Sequence, residues 1–88
     1  MNFVNEVKLP DERLFYTEQN VLAFDNVEWN KKGDIGNNNQ YYKEAVIVSI
    51  HKDVCFGTEE TLVGVRFKHH ANKDYISCGH FATALKLI

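Results

Sequence analysis

The stretch KEAVIVSIHKDVCFGTEETLVGVRFK, residues 43–68, decides the fold. Residues 45–50 place the β-branched Val46, Ile47, Val48 and Ile50 on both parities, the pattern of a central strand covered on both faces. Further on, Val63, Val65 and Phe67 share one face by period two, while Leu62, Gly64, Arg66 and Lys68 share the other, half-solvated face. Between the two runs, DVCFGTEE carries Gly57 with Asp53, Glu59 and Glu60, and reads as a hairpin loop of moderate length. The two strands are expected to pair antiparallel.

Upstream, NVLAFDNVEWN (20–30) offers a further extended segment, with Val21, Ala23, Val27 and Trp29 on one parity, Leu22 and Phe24 on the other, and a bulge near Asp25-Asn26 where the phase slips. KKGDIGNNNQ (31–40) is the clearest loop, since Gly and Asn permit positive φ. Downstream, ANKDY is a polar turn, YIS a short strand and LKLI a last strand. At the N-terminus, Pro10, Asp11 and Glu12 suit a first helical turn, but Tyr16 and Thr17 favour strand. Residues 1–19 are therefore expected to form an irregular or short helical lead-in. Residues 20–88 are expected to form a mainly β, five-stranded antiparallel barrel within a single domain, 1–88.

Composition sets the bounds. An 88-residue chain buries little more than about 60% of its unfolded surface, so any site must share residues with one core. An apolar share of 44%, with five Gly and one Pro, belongs to a folding chain. No apolar run has the length of a membrane span, and MNFVNEVKLPDER lacks the basic start and apolar run of a signal peptide, so a soluble, cytoplasmic protein is expected. Reduced Cys55 and Cys78 fit that expectation. Nine Asn are a composition common in AT-rich sources such as phages and mobile elements. Net charge is −2, and in residues 1–30 Lys8 and Arg13 stand against Glu6, Asp11, Glu12, Glu18, Asp25 and Glu28. This is not the concentrated basic stripe that drives non-specific nucleic-acid binding.

The run of a short strand, SCGHFATA and LKLI resembles the end of an SH3-like barrel, where a 3₁₀ turn precedes the closing strand. The loop 31–40 resembles that fold's long first loop, and residues 43–68 its central hairpin. The chain lacks the Ala-Leu-Tyr-Asp-Tyr-like motif and the tryptophan pair of peptide-binding SH3 domains, and Ser77-Cys78 stands where those have Pro. Its V-x-W, AVIVSI and V-x-F segments resemble Tudor and KOW-type members more closely. That resemblance implies a non-catalytic binding module for methylated side chains, nucleic acid or polymerase-associated proteins, with no cofactor.

Four chemistries compete for the polar and aromatic residues. Zinc wants close ligand pairs, and His51 with Cys55 or Cys78 with His80 match no standard knuckle, so no metal site is expected. A Cys78 or Cys55 nucleophile with His80, His69 or His51 as base lacks a marked oxyanion hole, so no catalytic residue is assigned and no enzyme is expected. An aromatic cage for a methylated cation has candidates in Trp29, Tyr41, Tyr42, Phe67 and Tyr75, with Asp25 and Glu28 near in sequence. Nucleic acid would use Lys31, Lys32, Arg66, Lys68, His69, His70 and Lys73, with Tyr41 and Tyr42 for stacking. The expected function is binding of a protein partner by a small accessory or regulatory protein, with nucleic acid as the alternative. The expected binding residues are Trp29, Lys31, Lys32, Tyr41, Tyr42, Arg66, Lys68, His69 and His70.

Overall fold

A computed structural model describes residues 2–32 and 41–88. The strands are β1 (Asn2–Val4), β2 (Glu6–Lys8), β3 (Leu14–Tyr16), β4 (Asn20–Phe24), β5 (Tyr42–Cys55), β6 (Thr58–Phe67), β7 (Ser77–Phe81) and β8 (Lys86–Leu87). Helix α1 (Asn26–Lys32) follows β4, and a 3₁₀ turn (Ala82–Ala84) precedes β8. The fold is mainly β, and no helix among the described residues is long and apolar enough to cross a membrane.

The residue 43–68 stretch forms the spine. β5 and β6 pair antiparallel from Ala45↔Phe67 to Cys55↔Thr58, with a register shift between Ile47 and Ser49. The extra residue bends β5, so its first half pairs with β4 (Phe24↔Tyr42 to Asn20↔Val46) and its second with β1 (Val4↔Ile50 to Asn2↔Lys52). The loop expected over 53–60 contracts to a two-residue turn. Phe56 and Gly57 take φ of +52° and +80°, the geometry that matches the twist of the flanking strands. The polar residues around them are ladder residues beyond the end of β1, where solvent reaches both faces.

The principal sheet runs β7-β6-β5-β4-β8, with β1 also on β5. No described ladder joins β7 to β8, so the strands form an open path and the closure expected of a five-stranded barrel is not seen among the described residues. β7 starts two residues later than the YIS segment. Its pairing passes from Val65↔Ser77 to Val63↔His80, so β7 holds one extra residue there, and Gly79 at φ +82° absorbs it.

Two further expectations are overturned. The lead-in is neither irregular nor helical: β1 joins the main sheet, and β2 and β3 form a hairpin of their own (Val7↔Phe15). Pro10 sits in its turn, closed by Leu9 N–H donating to Arg13 C=O at 2.9 Å, and Leu-Phe-Tyr follows its strand propensity. Leu9 and Phe15 are buried with Val21, Ala23, Ala45, Ile47, Ile50, Val63, Val65, Phe67, Ala82 and Leu85 in a continuous core. The second correction is at 26–32, where Val27 and Trp29 lie on α1 instead of extending the preceding strand. Local capping outweighs their strand-like alternation. On either side of the 3₁₀ turn, Leu85 is buried in the core, whereas Phe81 is 40% exposed.

Candidate functional site

Asp25 stands between the end of β4 (Phe24) and the start of α1 (Asn26). One carboxylate oxygen, Oδ1, accepts the Glu28 N–H at 3.1 Å, and the Asp25 carbonyl accepts the Trp29 N–H at 3.1 Å. This is an N-cap, and Glu28 adds the acidic first turn that complements it. The other oxygen, Oδ2, faces His69 Nε2 at 2.8 Å and His70 Nε2 at 3.5 Å. Asp25 is 3% exposed. Burial pushes its carboxyl up, but the Glu28 N–H and hydrogen bonds from His69 and His70 outweigh burial and hold it below the ordinary 3.8.

Adjacent residues of a strand point to opposite faces. His69 and His70 escape that rule because β6 ends at Phe67 and the chain turns. Their rings meet at right angles with centroids 4.6 Å apart. His70 is stacked between Phe67 (5.3 Å) and Tyr75 (5.1 Å), while His69 meets the Phe67 ring edge-on at 5.3 Å. His80 approaches the same Phe67 ring at 6.1 Å and shares a 2.8 Å hydrogen bond with Ser77 Oγ. Burial lowers the His80 pKa below the ordinary 6.5, against the opposing charge of Asp25. The three histidines thus gather around one buried phenylalanine. Next to them, Phe24, Asn26, Tyr42, Gly79, His80, Phe81 and Ala84 line a cleft of about 400 Å³.

The Cys78–His80 pair, set aside as a metal knuckle on spacing, does not organise this region. His80 engages Ser77, and the exposed Cys78 lies toward Gly64, 3.7 Å from where a β-carbon there would stand. The Ser77–His80 pair has the form of a nucleophile with its base, but the side-chain hydrogen bonds of Asp25 among the described residues go to Glu28, His69 and His70. A carboxylate that orients His80 is therefore not seen among the described residues.

The other end of the β5–β6 hairpin is apolar and uncovered. Phe56 is fully exposed, and Val54 and Phe3 are each 67% exposed. Asp53, Glu59 and Glu60 flank the tip.

The expected binding residues separate. His69 and His70 converge on Asp25. Trp29 is half-buried on α1 with its ring 6.1 Å from Phe24, and its buried Nε1 has no hydrogen-bond partner among the described residues. Tyr41 is buried, and its carbonyl accepts the Asp25 N–H. Tyr42 lines the cleft under Lys86, whose Nζ lies 4.0 Å from the ring centroid. Arg66 and Lys68 are exposed on β6 and the turn after it, and Lys68 pairs with Glu44 at 3.6 Å. Lys31 and Lys32 belong to α1, not to the loop expected over 31–40. The rest of that loop, 33–40, lies outside the described residues. Asp25 was legible as a carboxylate near aromatics, but its partnership with His69, and with His70 beside it, reaches across 44 residues or more. The available local signal was Asp25 with Glu28 three residues on, a helix-start pattern. No protein-family model, curated protein or solved structure matches the chain.

Proposed function

We propose that this chain is a non-catalytic binding module of the SH3-like barrel type that engages a protein partner through the tip of its β5–β6 hairpin. The strand order supports the architectural part. β4 pairs with both β5 and β8, β5 to β7 form a meander, and a 3₁₀ turn precedes β8. The Tudor and KOW likeness loses its V-x-W strand, because Val27 and Trp29 are helical.

Phe56 carries the functional part. A side chain of this size left in water forgoes about 1.5–3 kcal/mol of burial. Its left-handed backbone (φ +52°) costs a bulky residue roughly 1–2 kcal/mol more. A turn that only had to reverse the chain would be better served by Asn or Gly. An aromatic held out on a two-stranded arm, with Val54 beside it, is the anchor of a protein contact. Asp53, Glu59 and Glu60 around it repel phosphate, which favours protein over nucleic acid. The test is capture from nuclease-treated lysate on immobilised protein, comparing the natural chain with Phe56→Asn. A retained protein partner that Phe56→Asn releases supports the reading. Capture that needs intact nucleic acid, or that survives the substitution, ends it.

A further inference from the structure

We propose that Asp25, His69 and His70 form a binding site for a divalent transition metal of the zinc class, a site that the spacing of ligands along the sequence did not reveal. Asp25 Oδ2 and one nitrogen from each imidazole lie within 4.8 Å of one another. Two imidazoles and one carboxylate are the donor set that such ions take at sites with three protein ligands and an open position.

The geometry is close to what an ion requires. Zinc bonds of about 2.0–2.1 Å in a tetrahedron place ligand atoms about 3.3–3.4 Å apart. The His70 Nε2 to Asp25 Oδ2 separation is 3.5 Å, and that of His69 is 2.8 Å. Relative to Asp25 Oδ2, the His69 ring has to back away by roughly half an ångström, and the two imidazole nitrogens, within 4.8 Å of each other, have to settle at about the tetrahedral spacing. The His69 ring is free to move, since its side chain is 41% exposed while that of Asp25 is 4% exposed. The remaining ligands are held in place. Asp25 is fixed by the Glu28 N–H on its other oxygen, and the His70 ring is clamped between Phe67 and Tyr75.

Binding needs no redox partner. Each Nε2 presents a lone pair to the ion when its proton resides on Nδ1, so neutral imidazoles change tautomer and the ionised carboxylate supplies one negative charge. The exposed side of His69 leaves the remaining coordination positions to water. The ion would tie the turn after β6 to the start of α1, two elements otherwise joined there by hydrogen bonds to Asp25.

The test is titration of metal-free protein with Co(II) and Zn(II), followed by calorimetry and visible absorption. One ion per chain is expected, with a Co(II) spectrum lacking a thiolate charge-transfer band and a Tm raised by Zn(II) and restored by chelator. Asp25→Asn keeps an acceptor for the Glu28 N–H but removes the ligand charge, and His70→Gln removes a ligand. Each should weaken binding tenfold or more, while Cys78→Ser leaves it unchanged. The proposal is overturned by absence of binding to the natural chain, by a thiolate band, or by undiminished affinity in folded Asp25→Asn and His70→Gln. Circular dichroism of the metal-free variants shows whether they are folded, and the spectrum of the natural chain decides the matter if they are not.

Discussion

Phe56 and Phe67 stand at opposite ends of the same hairpin, and almost every physical circumstance differs between them. Phe67 is 2% exposed, in regular strand, and touches the rings of three histidines. Phe56 is fully exposed, in left-handed backbone, with acidic neighbours. One ring organises the protein's interior, and the other is spent on the surroundings. The same residue type can therefore be worth several kcal/mol to folding or less than nothing, depending on whether its ring leaves water.

The largest effect that would break this contrast is at the buried end. Phe67→Ala is expected to cost about 3–5 kcal/mol in urea unfolding and to release all three imidazoles from their common support. A cost below that of an ordinary surface substitution would mean that the core does not depend on this ring. Asp25→Ala comes next. It removes the cap of α1 and the shared acceptor of His69 and His70, an expected loss of about 2 kcal/mol. Asp25→Asn keeps an acceptor for the Glu28 N–H and should lose clearly less, so the difference between the two variants isolates the cap.

At the exposed end the sign reverses. Phe56→Asn should raise stability by about 1 kcal/mol, because Asn accepts positive φ more readily, while it abolishes partner capture. Loss of stability instead would show that the ring packs on something within the chain. The smallest effect is a pH dependence. His80 binds its proton less readily when folded than when unfolded, so its contribution is full above the ordinary 6.5 and declines as pH falls toward the lowered value. Tm measured between about pH 7.5 and about pH 5.5 should fall less in His80→Gln than in the natural chain. An unchanged slope would remove His80 from the acid response.

The buried half of the comparison was largely legible in the sequence. Val63, Val65 and Phe67 recur at period two, with Arg66 and Lys68 on the opposite parity, and that patterning fixes a strand's inner face regardless of its partners. The short turn was less legible, because Asp53, Glu59 and Glu60 look like loop residues when nothing indicates that the strands outrun the sheet. Trp29 misled for a related reason: Val27 and Trp29 alternate as in a strand, and the decisive hydrogen bond to Asp25 is local and easily overlooked. The His69–His70–Asp25 cluster required knowing that the end of β6 returns beside the end of β4. Only tertiary structure carries that information.

Arg13 gives the lead-in a further significance. Its guanidinium binds Asp11 at 2.8 Å and donates to the carbonyls of Leu85 and Thr83, at 2.7 and 3.2 Å. These partners lie 72 and 70 residues further along the chain. On a ribosome, the β2–β3 hairpin must therefore wait, with Phe15 lacking part of its final cover, until residues 83–85 have left the exit tunnel. A nascent chain stalled before Thr83 should remain open to proteases across the β2–β3 hairpin, and one extended until Leu85 is clear of the tunnel should not.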